Sequence, residues 1–287
     1  MNVQKKQLQI SGGMLVFLGA VFWSLNSPVV KFLSLDAFMM CGLRSLIAGI
    51  ALAMFIRPKK LCWNGWMLVY VCSYAALCLC VIVSLKMTSA PVAIGMQYTA
   101  IIWLFLLRWI KDKKWYGRAA IPVVIIFVGV ILFMLSGTDG TTATGNLIAL
   151  FEGVVFALMS VSAKKAVGEN PIGLTAVANL FTGVLILAIF PASTATIVSM
   201  SGMDWFWMLL LGVVQIGCGY AFYNMGIRKV SAQKASIIAL WEMILGPVWV
   251  AIFLQEYPSI PVIIGFVIII AGLFLDAKLN GGETSEN

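Results

Sequence analysis

Residues 231–254 have the sequence SAQKASIIALWEMILGPVWVAIFL. This stretch is apolar and exceeds the roughly 20 helical residues that cross the hydrocarbon core of a bilayer. Glu242 lies near its middle, directly after Trp241. A carboxylate at the centre of a membrane helix costs roughly 2.5–3.5 kcal/mol on insertion scales, so it usually faces a protein interior or a wet cavity. The stretch therefore predicts a membrane helix that carries either a solute site or an internal ion pair.

A related pattern occurs earlier in the chain. KMTSA at residues 86–90 precedes an apolar run, as RKVSA at residues 228–232 does, at an offset of 142 residues (231 − 89). GAVFWSLNSPVVK at residues 19–31 aligns with GVVFALMSVSAKK at residues 153–165, at an offset of 134 residues (165 − 31). The chain is therefore predicted to contain two copies of one unit.

The composition indicates a protein that crosses the membrane many times. Hydrophobic residues make up 62% of the chain, charged residues make up 10%, and the mean hydropathy is +1.02, whereas soluble domains average about 25% charged residues. In such a protein an excess of Lys and Arg marks the cytoplasmic side, so the net charge of +8 does not indicate nucleic-acid binding. Membrane lipid is an expected partner and nucleic acid is not.

Apolar runs of the required length predict ten spans and an all-α membrane protein. The predicted limits are 11–33, 36–56, 64–86, 90–109 and 117–136 in the first repeat, and 145–166, 172–192, 204–226, 231–254 and 259–278 in the second. We assign residues 1–140 and 141–280 to the two five-helix repeats, and residues 281–287 to a disordered polar tail. Five is an odd number, so the second copy enters from the opposite side and the repeats are inverted around a central cavity, as in alternating-access transporters.

The basic residues predict the orientation of the spans. With ten spans both termini lie on one side, and all but three of the 19 Lys and Arg residues fall on that side. The exceptions are Lys31, Arg44 and Lys86. Both termini are therefore expected in the cytoplasm and the protein in the cell (inner or plasma) membrane.

The residue types present weigh against several kinds of chemistry. The chain has no histidine, and its six cysteines lack the spacing of a metal site. No P-loop motif is present, so transport would draw on a gradient rather than on ATP. We expect no enzyme activity, no cofactor and no bound metal.

Taken together, the paired segments, Arg44 in the second span, and the ending QEYPSIPVIIGFVIIIAGLFL at residues 255–275 resemble the drug/metabolite transporters built from two EamA-type repeats. The resemblance covers nearly the whole chain. It implies a basket of ten helices in which the first four spans of each repeat surround a cavity and the fifth and tenth pack at the periphery. It also implies transport of small organic solutes, such as amino acids, nucleobases or drugs, often outward.

Polar and aromatic residues within the spans are the candidates for binding a solute. Besides Glu242 and Trp241, they are Trp23, Asn26, Gln97, Tyr98, Gln215 and Tyr223. An aromatic pocket with few polar groups and one carboxylate suits a cationic or aromatic solute. The alternative is that the aromatic side chains only fill helix contacts.

Three charged residues are candidates for an ion pair or an outer gate. Arg44 and Glu152 lie at a similar depth, about 10–12 Å from the outer surface at 1.5 Å per residue, and Lys31 is near enough in depth to join them. Each charge at this depth needs a partner. The hypothesis is either a structural pair or an external gate that contacts an anion.

The sequence thus predicts a secondary transporter, as the resemblance also implies. We expect it to export small organic metabolites, such as amino acids or cationic or aromatic compounds, with the proton as a further candidate partner. An uncoupled facilitator or channel, a multidrug efflux carrier and a non-transporting scaffold are the alternatives. Monomer and homodimer both stay open.

Overall fold

The computed structural model describes residues 11–136, 140–166, 168–230 and 232–280, which form ten apolar helical spans and contain no strand. The helices of the first repeat are α1 (Gly12–Ser24), α2 (Asn26–Phe32), α3 (Ala37–Leu52), α4 (Gly65–Met87), α5 (Ala90–Gln97), α6 (Ala100–Asp112) and α7 (Gly117–Leu135). Those of the second are α8 (Gly140–Ala166), α9 (Pro171–Ile189), α10 (Gly202–Leu209), α11 (Gly219–Ile227), α12 (Ala232–Leu254) and α13 (Ile260–Asn280). The predicted all-α fold with ten spans is confirmed. The predicted disordered tail at residues 281–287 lies outside the described residues.

Some spans contain more than one helix. The helices α1 and α2 form the first span, and α5 and α6 form the fourth. In the eighth span, α10 continues through the π-helix Leu210–Cys218 into α11. The sixth span begins at Gly140, earlier than the predicted residue 145.

Polar side chains cap the helices where the chain enters the apolar region. Ser11, Asp36, Asn64, Asn170 and Ser201 each accept a hydrogen bond from a backbone N–H in the first turn of the following helix. An unpaired N–H at this position would be costly near a membrane, so these caps fix the starts of five helices.

The second and seventh spans show how the repeats are related. A Cβ atom added to Gly49 would lie 2.7 Å from the backbone N of Leu180, and one added to Gly183 would lie 2.7 Å from the backbone N of Leu46. Both pairs of equivalent residues carry the predicted offset of 134 (183 − 49, 180 − 46), so each contact is the counterpart of the other. Gly49 of α3 meets Leu180 of α9, whereas Leu46, three residues earlier in α3, meets Gly183, three residues later in α9. These equivalent helices therefore run in opposite directions.

The fifth and tenth spans repeat this relation. A Cβ atom on Gly129 would meet Ile269 at 2.6 Å, and one on Gly272 would meet Ile126 at 2.6 Å, again an exchange of equivalent positions at an offset of 143 (272 − 129, 269 − 126). Small residues let the two backbones approach closely, which is how membrane helices associate. The repeats are therefore inverted, as the odd number of spans predicts. The pair α7 and α13 packs in a second apolar cluster with parts of α5, α8 and α12, apart from the larger core.

Candidate functional site

A cavity of about 310 Å³ lies among spans of both repeats, close to the middle of the helices. Seven of the eight residues predicted to bind a solute line it. They are Trp23, Asn26, Gln97, Tyr98, Gln215, Tyr223 and Glu242. The structure thus brings together side chains from the first, fourth, eighth and ninth spans that are far apart in sequence.

Three of the spans that line the cavity are interrupted where they meet it. The first span breaks between Ser24 and Asn26, where Pro28 has no N–H to offer to the Ser24 carbonyl four residues earlier. The fourth breaks after Gln97, where the Thr99 hydroxyl donates to the Met96 carbonyl and competes with regular helix bonds. In the eighth span the π-helix carries Gln215. Interrupted helices at mid-membrane are typical of transporter binding sites.

Glu242 provides an acidic group in this cavity. Its Oε2 accepts a hydrogen bond from the Tyr98 hydroxyl at 3.3 Å, and the side chain is partly open to the cavity. Among the described residues no Lys or Arg forms an ion pair with it. A carboxylate held in this way can accept hydrogen bonds from a cationic group of a solute.

Arg44 provides a basic group in the same cavity. The residue is only 3% exposed, its Nη1 donates to Asn26 Oδ1 at 2.6 Å, and its Nε has no hydrogen-bond partner. No carboxylate in the described part of the chain forms an ion pair with it. A guanidinium stays charged in a protein, so a buried one is stabilised by a counter-ion. None of the described residues supplies one to Arg44. An anionic group on a solute would supply one.

Aromatic rings form one wall of the cavity. Trp23 packs against Tyr220 and Tyr223 with ring centroids 4.9 and 4.8 Å away. A Cβ atom on Gly219 would lie 2.6 Å from the Trp23 ring, so glycine is needed for this approach. The Trp23 Nε1 and the Gln215 Oε1 are buried without hydrogen-bond partners. The wall can therefore stack on a flat solute while leaving one donor and one acceptor to bind it.

Comparison with known proteins relates this chain to membrane transporters. Residues 143–276 match the model of the EamA-like transporter family. An uncharacterized transporter of Clostridium kluyveri is 26% identical over 298 aligned positions, which cover 94% of each chain. The chain is a membrane transporter, and its residues 143–276 are similar to the EamA-like transporter family. A solved crystal structure aligns with this transporter at a TM-score of 0.62 and 14% sequence identity. The alignment covers 93% of this chain and 97% of the other, so the two proteins share a fold.

Trp241 does not line the cavity of the transporter. It is 45% exposed, and its ring meets Phe17 edge-on at 5.8 Å. Consecutive residues on an α-helix point about 100° apart at 3.6 residues per turn. With Glu242 facing the cavity, Trp241 is therefore turned away from it.

The predicted group of Arg44, Glu152 and Lys31 is not assembled in the transporter. Glu152 Oε1 lies 2.6 Å from the Ser84 hydroxyl oxygen, Arg44 donates to Asn26, and Lys31 pairs with Glu256 at 2.8 Å. The prediction used depth alone. Helix packing decides which faces meet, and α8 packs mainly on α4 whereas α3 packs mainly on α9.

The sequence interpretation did not single out Tyr74 or Phe156, which line the cavity of the transporter together with Tyr220. The Tyr74 hydroxyl accepts a hydrogen bond from Asn179 Nδ2 at 2.8 Å, and Asn179 is fully buried. An asparagine in the middle of an apolar span was the signal that could have indicated this part of the site.

Proposed function

We propose that this transporter carries a small organic solute out of the cell by alternating access of its two inverted repeats. The observation that supports this proposal best is that Arg44 and Glu242 line one cavity and that neither forms an ion pair with any described residue. A solute that carries both an anionic and a cationic group would neutralise both. An amino acid meets this requirement, and an aromatic one would also use the Trp23 wall.

In the proposed cycle the repeats rock about the central cavity. The transporter alternates between a conformation open to one side of the membrane and a conformation open to the other. When the two inverted repeats exchange their conformations, the open side changes, and the antiparallel contacts between equivalent helices can be kept throughout. The interrupted first, fourth and eighth spans absorb local changes near the solute. The outward direction follows the resemblance to the drug/metabolite transporters.

The proposed setting is the cell membrane, with both termini in the cytoplasm. The distribution of Lys and Arg supports this orientation. Since the sequence has no P-loop, the energy would come from the gradient of the solute or of an ion.

Two probes separate the proposed roles of the charged residues. L-tryptophan has an ammonium, a carboxylate and an aromatic ring, whereas tetraphenylphosphonium is an aromatic cation without a carboxylate. In counterflow into proteoliposomes, Glu242→Gln should slow transport of both probes, and Arg44→Gln should slow only L-tryptophan. Losing one partner of a buried charge pair costs about 2–5 kcal/mol, so we expect a loss of more than about tenfold.

The result is checked by thermal unfolding of the purified transporter. A solute at about 100 times its Kd raises the stability of the native state by about 2.7 kcal/mol. If neither probe, and no member of a panel of amino acids, nucleobases and quaternary amines, gave saturable counterflow or a thermal shift, the carrier proposal would fail. Non-saturable flux would favour a channel.

A further inference from the structure

Glu152 is buried in the seam between α4 and α8, outside the solute cavity. It has 0% exposure, its Oε1 contacts the Ser84 hydroxyl at 2.6 Å, and its Oε2 has no hydrogen-bond partner. Among the described residues no Lys or Arg forms an ion pair with it. Removing an ionised carboxylate from water without a counter-ion is far more costly than neutralising it.

The Ser84 hydroxyl shows how the acid is accommodated. Ser84 Oγ lies 2.6 Å from Glu152 Oε1 and 3.2 Å from the Val81 carbonyl oxygen. A hydroxyl has a single hydrogen to donate, but it can also accept one. If Glu152 carries a proton, it donates to Ser84, which donates to Val81, and both contacts are satisfied. A protonated Glu152 therefore satisfies both contacts of Ser84, whereas an ionised Glu152 and the Val81 carbonyl would have to share the single hydroxyl hydrogen.

In the described part of the chain, no charged side chain pairs with Glu152. Cys80 of α4 is the titratable group in the described chain that interacts electrostatically with it. From the fourth span, Met96 and Thr99 face the adjacent Gly153. From α7, the Phe133 carbonyl accepts from Asn146, farther along the same seam.

The seam lies between two cavities. One turn inward from Ser84 and Glu152, Val81 and Phe156 line the solute cavity. Toward the other end of the seam, Thr88 Oγ1 donates to Asn146 Oδ1 at 2.6 Å, and Thr88 lines a second cavity of about 430 Å³ together with Lys31 and Lys86. Opening of the seam between α4 and α8 toward either cavity would expose Glu152 to water.

We propose that Glu152 is a proton-binding site of the transporter, distinct from the solute site at Glu242. The carboxylate takes a proton from water on one side of the membrane and returns it to water on the other, and no other bond changes. The closed seam accommodates the protonated acid, whereas the ionised acid needs an open, wet seam. Proton binding thus shifts the equilibrium between conformations, and this links it to solute movement. The coupling rests on the proposed transport function, but the protonation does not.

The protonation is tested without any solute. Infrared difference spectra of the purified full-length transporter, recorded across a range of pH, report the C=O stretch of protonated carboxyl groups. We expect Glu152→Gln to remove one titrating carboxyl from the wild-type spectrum, and Glu152→Asp to retain one. Glu242→Gln is the matched control and should leave the Glu152 signal in place. Spectra of wild type and Glu152→Gln that superimpose at every pH would overturn the proposal, because the acid would then be a permanently protonated structural group.

The coupling is tested in proteoliposomes with L-tryptophan. Glu152→Gln should keep counterflow within about twofold of wild type and lose accumulation driven by a pH gradient by about tenfold or more. Glu152→Asp should restore part of that accumulation. Wild-type counterflow that does not respond to a pH gradient would overturn the coupling and leave the carrier function intact. Absence of counterflow in the wild type would instead count against the proposed solute, while the infrared result would still decide on the proton site.

Discussion

Replacing Gly183 by alanine tests the inverted packing of the repeats. The new Cβ atom would lie 2.7 Å from the backbone N of Leu46, whereas ordinary contacts begin near 3.4 Å. Backbone atoms cannot rotate away, so α3 and α9 must separate. Overpacking of this kind typically costs about 1–3 kcal/mol, and alanine regains roughly 0.5–1 kcal/mol of helix propensity. The two ranges leave a net loss of about 0–2.5 kcal/mol in the free energy of unfolding, and we expect a value in the upper half because the clash is with backbone.

The same substitution at Gly49 should cost a similar amount, because its Cβ atom would lie 2.7 Å from the backbone N of Leu180. The measurement is equilibrium unfolding in mixed micelles. Gly65→Ala serves as the control, since nothing lies within 4 Å of its added Cβ atom. Wild-type stability for both Gly183→Ala and Gly49→Ala would refute the close packing. A loss in only one of them would refute the claim that the two contacts are equivalent.

Three further outcomes follow from the charges and exposed groups. Glu242→Gln should lower L-tryptophan counterflow more than about tenfold, whereas Trp241→Phe should stay near wild type, since its ring lies outside the cavity; equal losses would contradict this assignment. Cys62 is exposed between the second and third spans, so a membrane-impermeant maleimide should label it only from the cytoplasmic side. Cys62→Ser is the control. Labelling of Cys62 in intact cells would mean that the orientation is the reverse. Lys31→Glu should lower the free energy of unfolding by less than about 1 kcal/mol, because its partner Glu256 is half exposed. The double variant Lys31→Glu and Glu256→Lys should recover this loss. If it does not, the pair does not form.

The sequence was sufficient for the architecture because the bilayer imposes a length on every span. Ten apolar runs became ten helical spans, and the offset of 134 residues between the halves reappears in the contacts of Gly49 and Gly183. An odd number of spans in each repeat leaves no choice about inversion. The interruptions are only partly visible in the sequence. Pro28, which has no N–H, and the glycines beside Cys218 favour two of them, whereas the break after Gln97 involves the hydroxyl of Thr99.

The site was less predictable because sequence gives the depth of a residue but not its direction around the bundle. Arg44 and Glu152 share a depth, yet they lie on helices that pack on different neighbours. Trp241 and Glu242 are adjacent in sequence and face different surroundings for the same reason. Polar residues in apolar spans were the better guide, since burial forces them toward the cavity or toward one another.

The two repeats are alike where they pack on each other and differ where they line the cavity. The equivalent of Glu242 at an offset of 142 is Ala100, and the interrupted first and fourth spans correspond to the continuous helices α8 and α12. Switching between two open sides needs equivalent contacts, whereas recognising one solute needs only one set of side chains. Substitutions at the glycine contacts should therefore shift the balance between conformations, whereas those at Arg44 or Glu242 should change affinity. In its proposed role Glu152 would combine both properties, because it lies in the seam between two helices and would change its charge there.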